Sequence, residues 1–126
     1  MKSIYIEYEK SFSRPNIIIL SCFNNKYSIT YIIANEIVDV VEIKKEIFDE
    51  IYSKILNLNF KEIVIANKNY CGLDGSRLKL TIGGDEDTLT INIWSINHNT
   101  KERNLEDLYN IITKITSILG LKDFFN

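Results

Sequence analysis

The stretch Asn16-Ile17-Ile18-Ile19-Leu20-Ser21-Cys22-Phe23-Asn24-Asn25-Lys26-Tyr27-Ser28-Ile29-Thr30-Tyr31-Ile32-Ile33 decides the fold. Its first half is a continuous β-branched apolar run, the pattern of a central strand covered on both faces. Asn24-Asn25 interrupts it, and asparagine tolerates positive φ almost as glycine does, so the chain reverses there into a second strand over Lys26 to Ile33. Two strands joined by so short a turn are antiparallel.

Working outward, Lys2 to Glu9 alternates Ile4, Ile6 and Tyr8 with Tyr5, Glu7 and Glu9, the period of a half-buried strand. Ser11 to Pro15 breaks it. From Glu42 the period changes: Ile43, Ile47, Ile51 and Ile55 recur every fourth residue, with Phe48, Tyr52 and Leu56 on the adjoining stripe and Lys44, Lys45, Asp49, Glu50 and Lys54 opposite. That is an amphipathic helix, supported by Lys45–Asp49 and Glu50–Lys54 spacings. Lys61 to Ala66, around Ile63-Val64-Ile65, reads as a short strand, with helical continuation as the alternative.

Leu78, Leu80 and Ile82, then Leu89, Ile91 and Ile93, alternate with polar residues on either side of the turn Gly83 to Asp87, which predicts a hairpin. Leu105, Leu108, Ile112, Ile115 and Leu119 mark a final helix. Asn104 is its predicted cap and Gly120 its stop. The order β-β-β-α-(β)-β-β-α predicts a single α+β domain over residues 1–126, an antiparallel sheet of about five to six strands with two amphipathic helices largely on one face.

The composition, 45% hydrophobic and 25% charged in 126 residues, is that of a chain able to fold without disulfide or metal. A net charge of −2 and a pI near 5.4 argue against direct nucleic-acid binding, which needs a clustered basic surface. The longest apolar run is far too short to span a bilayer. No secretory signal is visible before the first strand, so a cytoplasmic location with reduced thiols is expected.

Catalytic constellations fail one after another. His98 is the only histidine, so an imidazole base must be this one, partnered by Cys22 or Cys71. Cys22 ends an apolar strand and reads as a small core filler. Cys71 sits in a glycine-containing loop but lacks the surroundings of a cysteine hydrolase. One histidine and two scattered cysteines do not make a zinc site. Gly72-Leu73-Asp74-Gly75-Ser76 lacks the spacing of a phosphate loop and leads into a strand, so Gly72 and Gly75 read as supplying positive φ. Asp85, Glu86 and Asp87 lack the spacing of a calcium loop. No catalytic residue, metal or cofactor is therefore assigned. The aromatic residues Tyr5, Tyr8, Tyr27, Tyr31, Tyr52, Tyr70 and Trp94 are core residues singly and an interface patch if several are exposed together.

Charge is uneven: Asp85, Glu86, Asp87, Glu102, Glu106 and Asp107 stand against Lys101 and Arg103 alone in residues 83–110, a net of −4. These six acids are the candidate contacts for a basic protein partner.

Tyr70-Cys71-Gly72-Leu73-Asp74-Gly75-Ser76, the alternation Leu78-Lys79-Leu80-Thr81-Ile82, Ile91-Asn92-Ile93-Trp94-Ser95 and the closing helix with Leu105 and Leu108 resemble immunity proteins of bacterial contact-dependent growth inhibition and related polymorphic toxin systems. The likeness covers residues 70 to 121. Ser95-Ile96-Asn97-His98 departs from the proline-containing continuation seen in related sequences. The resemblance implies a cytoplasmic inhibitor that binds a cognate toxin domain, often a nuclease, with no enzymatic activity of its own. The competing expectations are a small enzyme using Cys71 and His98, and a self-associating ligand-binding accessory domain.

Overall fold

A computed structural model describes residues 2–10, 13–70, 75–84, 88–122, 124 and 125. The chain runs β1 (Lys2–Glu9), β2 (Asn16–Phe23), β3 (Lys26–Ile33), β4 (Glu36–Glu42), α1 (Lys45–Leu56), α2 (Phe60–Asn67), β5 (Arg77–Gly83), β6 (Thr88–Trp94) and α3 (Glu106–Ile118). The strands form one six-stranded sheet in the order β4-β3-β2-β1-β5-β6, and each neighbouring pair is antiparallel. This is the α+β class expected, with one more helix than the periodicity predicted.

Two tight turns build the meander. Asn24 and Asn25 take φ of 50° and 61°, and Ala34 and Asn35 take 52° and 66°. Two successive left-handed residues give the turn whose twist matches that of paired strands. The second of these turns makes β4, a strand beyond those the alternation predicts.

Residues 61–66 are helical, which corrects the expected short strand. Asn59 starts α2 by accepting the Glu62 amide at 3.1 Å on its Oδ1, and Ile63 is its buried apolar anchor. The β-branched pair Val64 and Ile65 stays exposed. Capping and one packed side chain outweigh the strand preference of Ile-Val-Ile in so short a segment.

Asn104 does not cap α3, contrary to expectation. It has φ of 56°, Leu105 occupies the cap position without a side-chain hydrogen bond, and Glu106 and Asp107 place carboxylates in the first turn. That turn is the positive end of the helix dipole, which favours them. The other end behaves as the sequence predicts. Gly120 has φ of +73°, its amide donates to Ser117 O at 3.0 Å and the Leu121 amide to Thr116 O at 2.9 Å, a Schellman stop.

The core lies on one face of the sheet. Ile4, Ile6, Ile18, Leu20, Ile29, Leu78, Leu80 and Ile93 meet Phe48, Ile51 and Ile55 of α1 and Leu108, Ile112 and Ile115 of α3. Cys22 packs at the margin of this core, as its strand position predicts. Phe124 and Phe125 return to the sheet and pack their rings about Tyr8, the first tilted and the second edge-on, at centroid distances of 5.2 and 5.0 Å. The Tyr8 hydroxyl donates to Phe125 O at 3.1 Å, and Asn97 Nδ2 donates to the same oxygen at 3.3 Å.

Glu50 joins α1 to α3. Its Oε1 accepts Lys114 Nζ at 2.6 Å and Lys54 Nζ at 3.1 Å, and hydrogen bonding to the two ammonium groups holds the carboxyl below its ordinary value of 4.5. The contribution of this link is present above that value and is lost as the pH falls below it.

The opposite face of the sheet is open. Ile17 and Ile19 of β2 are only half-buried, so β2 is central in order but covered on one face. The expectation of burial on both faces is corrected. An apolar run reports a strand without reporting how many layers cover it.

Candidate functional site

Of the residues singled out from the sequence, Cys71, Gly72, Leu73 and Asp74 lie outside the described residues, as do Asp85, Glu86 and Asp87. Cys22 and His98 are at opposite ends of the sheet. Cys22 stands opposite Lys2 at the start of β1, whereas His98 follows Trp94, whose partner Arg77 lies opposite Glu9 at the end of β1. Seven strand residues separate those ends, about 20 Å. Cys22 and His98 do not form a catalytic pair. Among the described residues no group of three or more His, Cys, Asp or Glu gathers at metal-binding distance. No helix among them is long and apolar enough to cross a membrane.

Glu102, Glu106 and Asp107 are all exposed. Glu106 and Asp107 line a shallow cleft of about 380 Å³ with Glu62, Lys101 and Asn104, and Asp107 also borders a groove with Lys54 and Lys114. Three lysines thus lie among these acids, so the described part of the expected acidic patch is a mixed-charge surface.

The most constrained polar group is Arg103, which reading the sequence only counted as a charge. Its side chain is wholly buried. Nε donates to Asn67 Oδ1 at 2.6 Å, one terminal nitrogen donates to Ser95 O and His98 O, both at 2.7 Å, and the other donates to Trp94 O. Its guanidinium carbon lies 4.6 Å from the centroid of the Tyr70 ring and 5.9 Å from that of Trp94. Burial pulls its pKa below the ordinary arginine value while the Tyr70 hydroxyl opposes the shift. Every acceptor is neutral, so the rings and carbonyl dipoles replace the water and counter-ion that the charge leaves behind. Tyr70 and Trp94, expected as core residues singly and as interface residues only if exposed together, are occupied in holding this cation. No sequence spacing could have marked Arg103, because its partners are backbone oxygens and an amide far away along the chain.

Gly75 completes this corner. At its φ of +113°, an added Cβ would stand 2.5 Å from Ser95 Oγ and 2.8 Å from Trp94 Nε1. Gly75→Ala is expected to lower the unfolding free energy by about 2 kcal/mol, from backbone strain and displacement of the Trp94 ring. Urea melts at an unchanged m-value check this.

The open sheet face divides into two chemically distinct halves. Over β1, β5 and β6, Glu7 stands opposite Lys79 and Glu9 opposite Arg77, while the Thr81 and Thr90 hydroxyls are 3.2 Å apart. Over β2, β3 and β4, the register lines up Ile17, Ile32 and Ile37 in one row and Ile19, Thr30 and Val40 in the next. Ile37 is 66% exposed and Val40 56%. Between them the register shifts, and Val38, 57% exposed, is the extra residue of a bulge. The signal for this half was present in Glu36-Ile37-Val38-Asp39-Val40-Val41-Glu42. Its four β-branched apolar residues, broken by one aspartate, follow an Ala-Asn turn.

No protein-family model, curated protein or solved structure matches this chain.

Proposed function

We propose that this chain is an immunity protein, which binds a cognate toxin domain and neutralises it by direct, stoichiometric association without catalysing a reaction. The observation that carries the reading is the open half-sheet. Large apolar side chains on three adjacent strands are half-buried on β2 and β3 and exposed on β4, although the other face of the same sheet carries the core. A contiguous apolar surface rimmed by polar residues marks a protein-binding site more often than a resting surface. The likeness of residues 70–121 to immunity proteins supports the same conclusion, and the toxin it implies is a basic domain such as a nuclease.

The test is a binding and protection assay. The gene immediately upstream is expected to encode a surface protein with a C-terminal toxin domain, and that domain should co-purify with this chain in equimolar amount and lose its toxicity when the two are co-expressed. Failure to bind at micromolar concentrations would sink the assignment. Retained protection by Cys71→Ala and His98→Ala variants separates stoichiometric inhibition from an enzymatic mechanism.

A further inference from the structure

We infer that the free edge of β6 is a strand-addition site, which takes an extended segment of a partner protein carrying apolar side chains on one face and an acidic one beside Lys68. The inference is independent of the toxin-binding reading above.

Hydrogen-bond phase shows which groups this edge offers. The Ser95 amide donates to Ser76 O at 2.8 Å, one step beyond the pair of Trp94 with Arg77. Opposed residues in an antiparallel ladder alternately exchange both backbone bonds or neither, so Ile93, Ile91 and Leu89 turn theirs to β5 while Asn92, Thr90 and Thr88 turn theirs away from it. Trp94 O fixes the same phase, since it is turned outward to Arg103. Among the described residues no hydrogen bond reaches the outward amides and carbonyls of Thr88, Thr90 and Asn92.

The two edges of the sheet are built differently. β4 is broken by the bulge at Val38 and carries Glu36, Asp39 and Glu42, devices that keep a foreign strand from pairing. β6 has none of them: its register with β5 is unbroken and its seven residues include no charge and no proline. Helix α2 and its C-cap Lys68 give this edge a wall. Val64 and Lys68 face Thr90 and Asn92 across a groove of about 400 Å³, and Val64 is 54% exposed. Lys68 is the one charged residue lining the groove among the described residues, and no ion pair engages it there. An added strand therefore meets backbone partners along β6, an apolar contact on α2 and a cation without a counter-ion, which favours an acidic segment.

Other occupants fit less well. Antiparallel pairing of two β6 edges would keep both helix layers on one side of the joined sheet, with each α2 on its own β6. Strands about 4.8 Å apart cannot carry helices that need about 8–10 Å between axes. Nucleic acid would find a single lysine.

The probe is a short peptide with blocked ends, alternating valine and threonine with glutamate at one valine position, titrated into the whole chain and followed by nuclear magnetic resonance. At about 90% occupancy the Thr90 and Asn92 amides should exchange with water about 10-fold more slowly, while the Leu89 and Ile91 amides, bonded to β5 already, change less than about twofold. Side-chain docking does not produce that alternation. Thr90→Pro removes an outward amide that the fold does not use, at an edge position where proline is tolerated, and should weaken binding at least about 10-fold with the spectrum otherwise retained. Lys68→Glu should weaken it about fivefold at low salt, and a peptide with lysine in place of glutamate should restore it. No response at millimolar peptide, slowing without the alternation, or equal binding by both variants would overturn the site. A dimer in sedimentation that Thr90→Pro abolishes would make a second copy the occupant and overturn it likewise.

Discussion

Replacing Arg103 by alanine is expected to remove about 3–5 kcal/mol of folding free energy, a large fraction of what a domain of this size possesses. The guanidinium satisfies the carbonyls of Trp94, Ser95 and His98 and the Asn67 side chain, which also donates to Ile63 O at 2.7 Å and Arg103 O at 3.0 Å. Truncation takes the guanidinium donors away from all four oxygens, of which Ser95 O still accepts the His98 amide at 2.9 Å, and opens a cavity between Tyr70 and Trp94. Arg103→Lys should recover little, because an ammonium on a flexible stem cannot serve four acceptors spread in a plane. Arg103→Met restores volume but not donors. Urea unfolding should rank wild type well above all three, with methionine and lysine close to alanine. A methionine variant as stable as wild type would mean that the site needs only filling.

Phe125→Ala should cost about 3–4 kcal/mol. The ring lies 5.0 Å from Tyr8, 5.1 Å from Tyr109 and 5.2 Å from Phe124, edge-on to Tyr8 and Phe124 and stacked on Tyr109. Removing it uncovers the end of β1, whose pairing with both β2 and β5 ties the meander to the hairpin. Tyr8→Phe is the matched control: it keeps the rings and deletes the hydroxyl bond to Phe125 O, so about 1 kcal/mol is expected. Burial holds the Tyr8 hydroxyl in its neutral form above the ordinary tyrosine value. Thermal unfolding followed by near-ultraviolet circular dichroism reads both variants, since their aromatic environment changes with the melt.

How legible these features were depends on what each leaves in the chain. Alternation at Ile4, Ile6 and Tyr8 and fourfold spacing at Ile47, Ile51 and Ile55 exist because one side of each element is buried, so periodicity revealed them. Strand β4 leaves no such trace. Val41 meets the core while Ile37, Val38 and Val40 face solvent, and the bulge breaks the two-residue period midway. Helix α2 departs from the expected strand for a related reason: with Ile63 its one buried position, its apolar side chains report composition and not a face. The candidate contacts divide in the same way. Formal charge pointed to Glu102, Glu106 and Asp107, whereas the apolar rows of β2, β3 and β4 become visible only once the register shows which residues share a face.

Arg103 has a further consequence for how this protein can change. It grips main-chain oxygens, which every residue type supplies, so the clamp does not depend on the side chains presented by the turn it holds. Ser95 is tied by its own backbone and by accepting the Ser76 amide, whereas His98 serves the guanidinium through its carbonyl and its exposed ring meets only the edge-on face of Trp94 at 5.9 Å. Codons at such a position can drift, or be randomised in a library, while the turn keeps its shape. The one imidazole in the chain therefore occupies a place where variation costs an edge contact with Trp94 and leaves the clamp's hydrogen bonds in being.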